Sequence, residues 1–424
     1  MNNPTDHPRE EMISISQFKK LKKLVNHAFS NSIFYRKFWA ENDFRPNMLQ
    51  NPNDFKLIPV ISRKQLRESL SNDPSSVYAR ENFSHLHFQT TSGSSGIPLK
   101  IYWTKKEWIR RMWFLLRAYR KQGLPLFSTT QNLADPVDIK KPLFFQYFGI
   151  LKNEYHDIYT DFQEHFDNLS RLKRIQILKG MPSDLFTLAY YVLKNGGQFP
   201  NVSIIQSVGE VLDKPTREYV ESAFSSRILD SYSSVETGLM AYQTNTSNGK
   251  YIISSENVVL EAHRNEIFPH GDFETVVTNL NNFTTPIIRY LSGDVVKITS
   301  DSTQKIILPN HIESIYGKYL DFLVHPSGEI ISAHVVKQNL THIEGIDRFQ
   351  IEQLSVENIV ITVQPDKNYS NETEAKIRRL MLRDLGEDVQ IKIKLEENLM
   401  SKNDYRKFKV VSSIPALEIL DSIR

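Results

Sequence analysis

The sequence predicts an α/β protein, with a large N-terminal domain of parallel α/β sheets and a β-rich subdomain, followed by a small α+β C-terminal domain. Three observations carry this prediction. From Pro200 to Tyr232, apolar runs alternate with a helical pattern, the succession that builds parallel strands in an α/β layer. From Tyr251 to Tyr290 the pattern changes to short β runs. In the last hundred or so residues a separate β-α-β rhythm begins, which sets the domains at 1–316 and 317–424, with the boundary at Gly317-Lys318-Tyr319-Leu320-Asp321.

Phe18, Leu21, Leu24, Val25 and Phe29 recur at three- and four-residue spacing, which predicts an opening helix. Proline-containing loops around Pro46, Pro52 and Pro59 follow. Leu99 to Tyr102 reads as a strand, and about Lys105 to Lys121 as a helix with Trp108, Met112, Leu115, Leu116 and Tyr119 as a core-facing stripe. Val202–Val208 reads as a buried strand, Lys214–Phe224 as a helix with Pro215 in its first turn, and Arg227–Tyr232 as a second strand. The β-rich stretch comprises Ile252-Ile253, Val258 to Leu260, Phe273 to Leu280 and Ile287-Ile288. In the C-terminal part, Ile359–Val363 is a strand stopped by Pro365. A helix follows with Asn371 and Glu374 at capping-box spacing and Ile377, Leu380, Met381 and Leu385 buried. Val389, Ile391, Ile393 and Leu395 then alternate with polar residues as a half-buried strand.

Composition narrows the function classes. The chain has 424 residues, 40% hydrophobic and 24% charged, an ordinary globular balance. With no cysteine, it excludes a disulfide scaffold, a thiol nucleophile, an iron–sulfur cluster and a Cys-ligated zinc site. Lys+Arg number 52 against 49 Asp+Glu, so a net charge of +3 argues against an electrostatic nucleic-acid binder. The apolar patch Pro142 to Leu151 is too short to span a membrane, which takes about 20 residues. Met1 to Ser14 is polar and reads as no secretion signal, so the expected compartment is the cytoplasm.

Three segments carry chemistry. Thr90-Thr91-Ser92-Gly93-Ser94-Ser95-Gly96-Ile97-Pro98 packs five hydroxyls and two glycines into nine residues. Glycines let backbone N–H groups approach an anion and hydroxyls add donors, so the segment suits a polyphosphate. A flexible Ser/Gly linker is the alternative, and neither a Walker loop nor a dinucleotide glycine fingerprint is present. Asp230-Ser231-Tyr232-Ser233-Ser234-Val235-Glu236 sets an aromatic and a carboxylate at the end of a buried strand, where α/β folds gather ligands. Arg289-Tyr290-Leu291-Ser292-Gly293-Asp294 sets a base, a turn glycine and an acid together. A carboxylate so placed can hold Mg²⁺ or ribose hydroxyls, or be only a solvated helix-start acid or a turn residue. The aromatic run Phe144 to Gly149 reads equally as part of a pocket or as a buried strand, and His156 and His165 as structural.

Taken in order, these segments resemble the adenylate-forming superfamily of acyl- and aryl-CoA synthetases, in the branch of phenylacetate–CoA ligases and capsule-biosynthesis adenylating proteins. The resemblance runs nearly end to end. Ser32 to Arg36 and Leu57 to Arg67 resemble that branch's "PFYR" and "LPFTTKxDLR" stretches, and Thr91 to Pro98 the phosphate loop "TSGTTGxP". Gly180-Met181-Pro182-Ser183 resembles "GYPS", Ser207-Val208-Gly209-Glu210 resembles "SGE", Tyr232 to Glu236 resembles "YGxTE", and Arg289 to Asp294 resembles "RYxTGD".

The resemblance implies an adenylation domain and a mobile C-terminal lid, and an enzyme in which a carboxylate attacks the α-phosphate of ATP. It implies that Thr91, Ser92, Gly93, Ser94, Ser95 and Gly96 grip the β- and γ-phosphates. Tyr232 and Ser233 would lie on the adenine side beside Gly209 and Glu210, with Glu236 binding Mg²⁺ and Asp294 the ribose. Asp404 to Ser412 resembles the ending "GKfRxVxS", which makes Lys407 the catalytic lysine of the lid. At the hinge, Lys318 takes the arginine place of "GRxDD" and Leu320 that of its first aspartate; Val235 replaces a Thr or Ser, Ser233 a glycine, and Arg406 a glycine. The acyl acceptor is an amine or a thiol, with CoA or a carrier pantetheine as the thiol candidates; a homodimer is an open expectation. Direct adenylyl transfer and a degenerate nucleotide-binding member are the alternatives. Relatives in this branch often carry zinc-binding cysteines just after "YGxTE"; Gly238 to Thr244 has none, which implies a zinc-free variant.

Overall fold

The computed structural model describes residues 12–72, 77–78, 85–90, 99–134, 136, 144–158, 160, 162–264, 272–299, 304–318, 322–328, 330–332, 336, 340, 343–397, 399 and 411–415. The chain divides into two units. The first comprises Met1–Asn265, His270–Ser292 and Val296–Ile315, and the second Glu266–Pro269, Gly293–Val295 and Tyr316–Arg424.

In the first unit, Ser14 caps helix α1 (Ile15–Asn31) through a capping box with Gln17, and Ser32 caps α2 (Ile33–Glu41). Phe18, Leu21, Leu24, Val25 and Ala28 form the buried face of α1, as the spacing predicts. Ser32 to Arg36 thus forms the cap and first turn of this second helix. Helix α3 (Arg63–Asn72) precedes a hairpin of β1 (His87–Thr90) and β2 (Lys100–Trp103). Helix α4 (Lys105–Lys121) has the predicted ends, but its buried line is Glu107, Phe114 and Ala118. The expected stripe flanks this line half-buried, because the Glu107 carboxylate is fully satisfied and so can face inward. It accepts from Thr104 N (2.7 Å), Phe283 N (2.8 Å) and Thr284 Oγ1 (2.7 Å).

An eight-stranded sheet forms the centre of this unit. Its strands are β3 (Thr129–Ala134), β4 (Lys152–Asp157), β5 (Ile175–Gly180), β6 (Val202–Val208), β7 (Ile228–Ser234), β8 (Gly238–Tyr242), β9 (Tyr251–Ile253) and β14 (His311–Ile312), in the order β14-β9-β8-β7-β6-β5-β3-β4. Strands β4, β3, β5, β6 and β7 are parallel, and β8, β9 and β14 add antiparallel. Helices α5 (Phe162–Ser170), α6 (Pro182–Lys194) and α7 (Lys214–Phe224) are the crossovers, and their apolar faces meet the strands in one core of Phe166, Leu178, Leu185, Leu188, Val192, Ile205 and Val220. This is the α/β layer that the Pro200 to Tyr232 pattern predicts.

The β-rich stretch supplies β10 (Val258–Arg264), β11 (Asp272–Asn279), β12 (Tyr290–Lys297) and β13 (Ile306–Ile307), which with β15 (Ser314–Lys318) make a five-stranded sheet ordered β13-β10-β11-β12-β15. Ile287 and Ile288 are buried but precede the strand, a departure from the sequence pattern. Arg289 has φ of 44°, a left-handed backbone that breaks extension there. Phe144–Phe148 is a short 3-10 helix with Tyr147 and Phe148 exposed, so it is not a buried strand.

In the second unit, β16 (Phe322–Val324) pairs with β17 (Ile330–Ser332). A four-stranded sheet, β20-β19-β18-β21, contains β18 (Ile346–Ser355), β19 (Asn358–Pro365), β20 (Gln390–Leu395) and β21 (Val411–Ser413). Helix α8 (Asn371–Leu385) joins the parallel pair β19 and β20. Its cap lies one residue earlier than the sequence spacing suggests, with Ser370 accepting from Thr373 N. Ile377, Met381 and Leu385 are buried as predicted and Leu380 is half-buried.

Candidate active site

Three of the sequence segments meet at the carboxyl ends of β5, β6 and β7. Gly180 ends β5 and Pro182 starts α6, so Gly180-Met181-Pro182-Ser183 is a strand-to-helix turn. An added Cβ at Gly180 would lie 3.2 Å from Leu133 Cβ, which explains the glycine. Ser207 and Val208 end β6, and Gly209 follows with φ of 88°. Glu210 Oε2 accepts from Ser183 N (3.2 Å), so one predicted adenine-side residue is tied to the N-terminus of α6. In the adjacent parallel strand, Ser207 lies opposite Asp230 and Val208 opposite Ser231.

Tyr232 is buried on β7. Its hydroxyl shares a hydrogen bond with Thr275 Oγ1 (3.3 Å), which in turn meets Ser292 Oγ (2.5 Å). This hydroxyl chain fixes the ring from β11 and β12. A bulge in the β7–β8 pairing at Tyr232/Ser233 leaves Ser233 exposed. Bulges of this kind re-aim side chains beside functional sites.

Glu236 sits buried in the turn between β7 and β8. The turn is closed locally, because Ser234 Oγ accepts from Thr237 N (3.1 Å). It is also held from afar: Asn257 Nδ2 (3.2 Å) and Asn279 Nδ2 (2.9 Å) both donate to Thr237 O. Gly238 leaves the turn with φ of +75°, a conformation that costs a side-chain-bearing residue about 1 kcal/mol or more. Val235 packs partly buried against the N-terminal core of the unit. Glu236 thus presents one carboxylate on a rigid turn. A single carboxylate suits Mg²⁺, which usually keeps waters and substrate phosphates as its other ligands.

Arg111 on α4 reaches the same turn. Its Nη1 lies 2.7 Å from where a Cβ on Gly238 would stand, its Nη2 donates to Gln89 Oε1 (3.3 Å), and its guanidinium lies 4.8 Å from the Trp103 ring centroid. Burial pushes its pKa down to about 10, against the opposing pull of Glu236. Below the site, Asp230 is buried and accepts from Tyr251 OH (2.5 Å). Burial raises its pKa, and the Tyr251 hydrogen bond and the Arg217 charge oppose that rise. Arg217 Nη2 donates to Gln243 Oε1 (2.7 Å), which also accepts from Asp230 N (3.1 Å). His156 and His165 belong to a structural pair: His165 Nε2 bonds Asp157 O (2.7 Å) and His156 Nε2 bonds Gln131 Oε1 (2.6 Å).

The structure therefore brings together Gly209, Glu210 and Tyr232, with Ser233 and Glu236 further along the Tyr232 segment. Asp294 is buried on β12, two residues beyond Ser292, and Gly293–Val295 is grouped with the second unit. Lys318 ends β15. Thr91, Ser92, Gly93, Ser94, Ser95, Gly96 and Lys407 lie outside the described residues, as does the side chain of Lys318. Arg111, Asn257, Asn279 and Thr275 were not foreseen. Only the Asn279 and Thr275 positions, polar within an apolar strand, carried a signal.

The architecture belongs to a known class: the chain has the fold of the adenylate-forming CoA ligases and resembles their capsule-biosynthesis branch. Residues 323–414 match the CapK C-terminal domain model. The chain is 24% identical over 393 residues to Protein CapK of Staphylococcus aureus, covering 86% of this chain and 84% of that protein. Among solved structures it is similar to 2-hydroxyisobutyryl-CoA ligase in the postadenylation state with 2-HIB-AMP, with a TM-score of 0.71, 20% identity, and 100% and 96% of the two chains covered. It is also similar to the anthranilate CoA ligase AuaEII with anthranoyl-AMP (TM-score 0.57, 14% identity, 80% and 66% covered) and to ATP-bound MatB from Rhodopseudomonas palustris (TM-score 0.54, 14% identity, 84% and 72% covered). No described helix is long and apolar enough to cross a membrane.

Proposed function

We propose that this protein is an ATP-dependent, AMP-forming carboxylate ligase, which activates a carboxylic acid as an acyl-adenylate and passes the acyl group to an amine or thiol. The observation that supports this reading best is the convergence of Gly209, Glu210 and Tyr232 at the carboxyl ends of two adjacent parallel strands, with Glu236 on the turn that follows. Solved proteins of the same fold were captured with acyl-AMP, ATP or CoA, in accord with the reading.

In this reading Tyr232, Ser233, Gly209 and Glu210 form the adenine side, Asp294 holds the ribose, and Lys318 is a further nucleotide-binding residue at the hinge. Residues Thr91 to Gly96 hold the β- and γ-phosphates. Glu236 would hold Mg²⁺, which supplies charge neutralisation where two anions must meet. Residues 1–316 act as the adenylation domain and 317–424 as the lid whose Lys407 stabilises charge when it closes. CoA or a carrier pantetheine is the thiol acceptor, an amine the other candidate, and the work is done in the cytoplasm. Pyrophosphate–ATP exchange, backed by hydroxamate trapping, across a panel of carboxylic acids tests this. Exchange that depends on one acid class supports ligation; AMP retained on a hydroxyl product would favour adenylyl transfer.

A second reading follows from Val235. Its side chain packs into the N-terminal core, at the place where relatives of the resembled pattern carry a hydroxyl. With Leu320 and Arg406 it motivates a member that binds nucleotide without turnover. ATP or AMP binding with no pyrophosphate release across the whole panel would favour that reading.

A further inference from the structure

We propose that Arg111 is a polyphosphate-binding residue of the nucleotide site, a role that rests on the ligase reading above and deepens it. Arg111 is held on three sides. Trp103 stacks beneath the guanidinium, Gln89 accepts from Nη2, and the bare Cα of Gly238 lets Nη1 approach the turn that carries Glu236. Its Nη1 is nevertheless buried with no acceptor among the described residues. A buried donor on a cation is costly to leave unpaired, and an arginine fork is shaped for phosphate oxygens.

Glu236 is the opposite charge that acts on it, and the attraction between them is electrostatic, without a direct ion pair. A buried carboxylate and a buried guanidinium that attract each other with no ion pair between them can both be satisfied by one shared group. A phosphate oxygen does so, with a divalent cation on the carboxylate side and the N–H donors on the other. Gln89 lies two residues before Thr91, so the strand that supports Arg111 also leads into the hydroxyl- and glycine-rich segment. The side chain is fixed by stacking and by the glycine before any ligand arrives, which removes the ordering cost of binding.

Isothermal titration of the full chain with ATP, AMP and inorganic pyrophosphate, each with Mg²⁺, tests the assignment in wild type, Arg111→Met and Arg111→Lys. Arg111→Met is expected to weaken ATP and pyrophosphate binding tenfold or more while AMP affinity stays within twofold. Arg111→Lys keeps the charge and loses the fork, so it should weaken ATP at least threefold with AMP unchanged. Equal losses for ATP and AMP would make Arg111 merely structural and overturn the proposal, as would unchanged ATP affinity. Should Arg111→Met fail to fold, the Arg111→Lys comparison decides alone. A carboxylic acid lost from Arg111→Met with ATP retained would assign the residue to the acid instead. Wild type that binds none of the three probes would overturn the nucleotide reading itself, an outcome distinct from the others.

Discussion

Replacing Arg289 by Met should unfold the first unit under conditions where wild type stands, and the structure sets the size of the effect. Arg289 makes a two-pronged pair with buried Glu261, Nε to Oε1 at 3.0 Å and Nη2 to Oε2 at 2.7 Å. Its Nη1 also donates to Lys56 O at 2.8 Å and to Ile58 O. One side chain therefore ties the proline-rich N-terminal loop to β10. Removing it leaves two carbonyls without their donor and a buried carboxylate with His263 as its remaining partner at 2.9 Å, and breaking a buried pair from one side costs about 3–5 kcal/mol. Replacing both partners with apolar groups costs much less, so Arg289→Met with Glu261→Leu should recover a large part of the loss. Urea unfolding of the two singles and the double, followed by a probe in the first unit, gives the coupling. Burial pushes Glu261 up, but Arg289 and His263 outweigh it and hold its carboxyl below the usual range. A depressed folded pKa gives stability that is present above the unfolded value and lost as pH falls through the folded one. The Arg289→Met deficit should therefore shrink on acidification. A deficit below about 1 kcal/mol, or singles that simply add, would refute the reasoning.

Other expectations follow from single contacts. Gly238→Ala forces a side chain into a left-handed backbone and against Arg111 Nη1, so it should cost about 1–3 kcal/mol by thermal unfolding. Part of that cost should vanish in an Arg111→Met background. Asp272 is pushed up to about 6 by burial, with Lys297 opposing. The folded state then holds the proton more tightly, so its contribution to stability falls as pH rises from about 4 to about 6. Asp272→Asn should accordingly exceed wild type in melting temperature at pH 8 and match it below pH 4. Tyr251→Phe removes the donor to buried Asp230 and should cost about 1–3 kcal/mol in urea unfolding, with Asp230→Asn/Tyr251→Phe less affected. If Lys407 acts in adenylation, Lys407→Ala should cut pyrophosphate exchange strongly while leaving attack on a supplied acyl-adenylate much less affected; equal loss in both would remove that role.

Much of the fold was legible because periodicity reports burial where burial is apolar. Helices 105–121 and 214–224 and strand 202–208 have their sequence-read ends. The reading slipped where a polar group took a buried place. Glu107 lies on the buried line of α4 because it meets donors from residues 104, 283 and 284, which no local pattern can announce. Ile287-Ile288 looks like a strand, yet the Ile288 N–H goes to the Tyr35 hydroxyl at 3.2 Å in place of a ladder partner. In the site, the positions of Tyr232 and Glu236 at the end of a buried strand were legible from the apolar run before them, whereas Gly209 and Glu210 stood out only through the family resemblance. Arg111, Asn257 and Asn279 were not legible, since each acts on the 234–238 turn from elements distant in sequence.

The eight-stranded sheet ends at β4 on one side and at β14 on the other. A long open edge invites another chain to add a strand, and such addition is how sheets seed aggregates. Here β14 offers only His311 and Ile312, too little backbone to template a partner. β4 is longer but reads Lys-Asn-Glu-Tyr-His-Asp, with a 2.7 Å Lys152–Glu154 pair along it. An incoming strand would have to strip water from that pair. The polar character of residues 152–157 thus disfavours strand addition at β4 as brevity does at β14, so charge and length guard the two ends of this sheet in a chain with no cysteine to lock it.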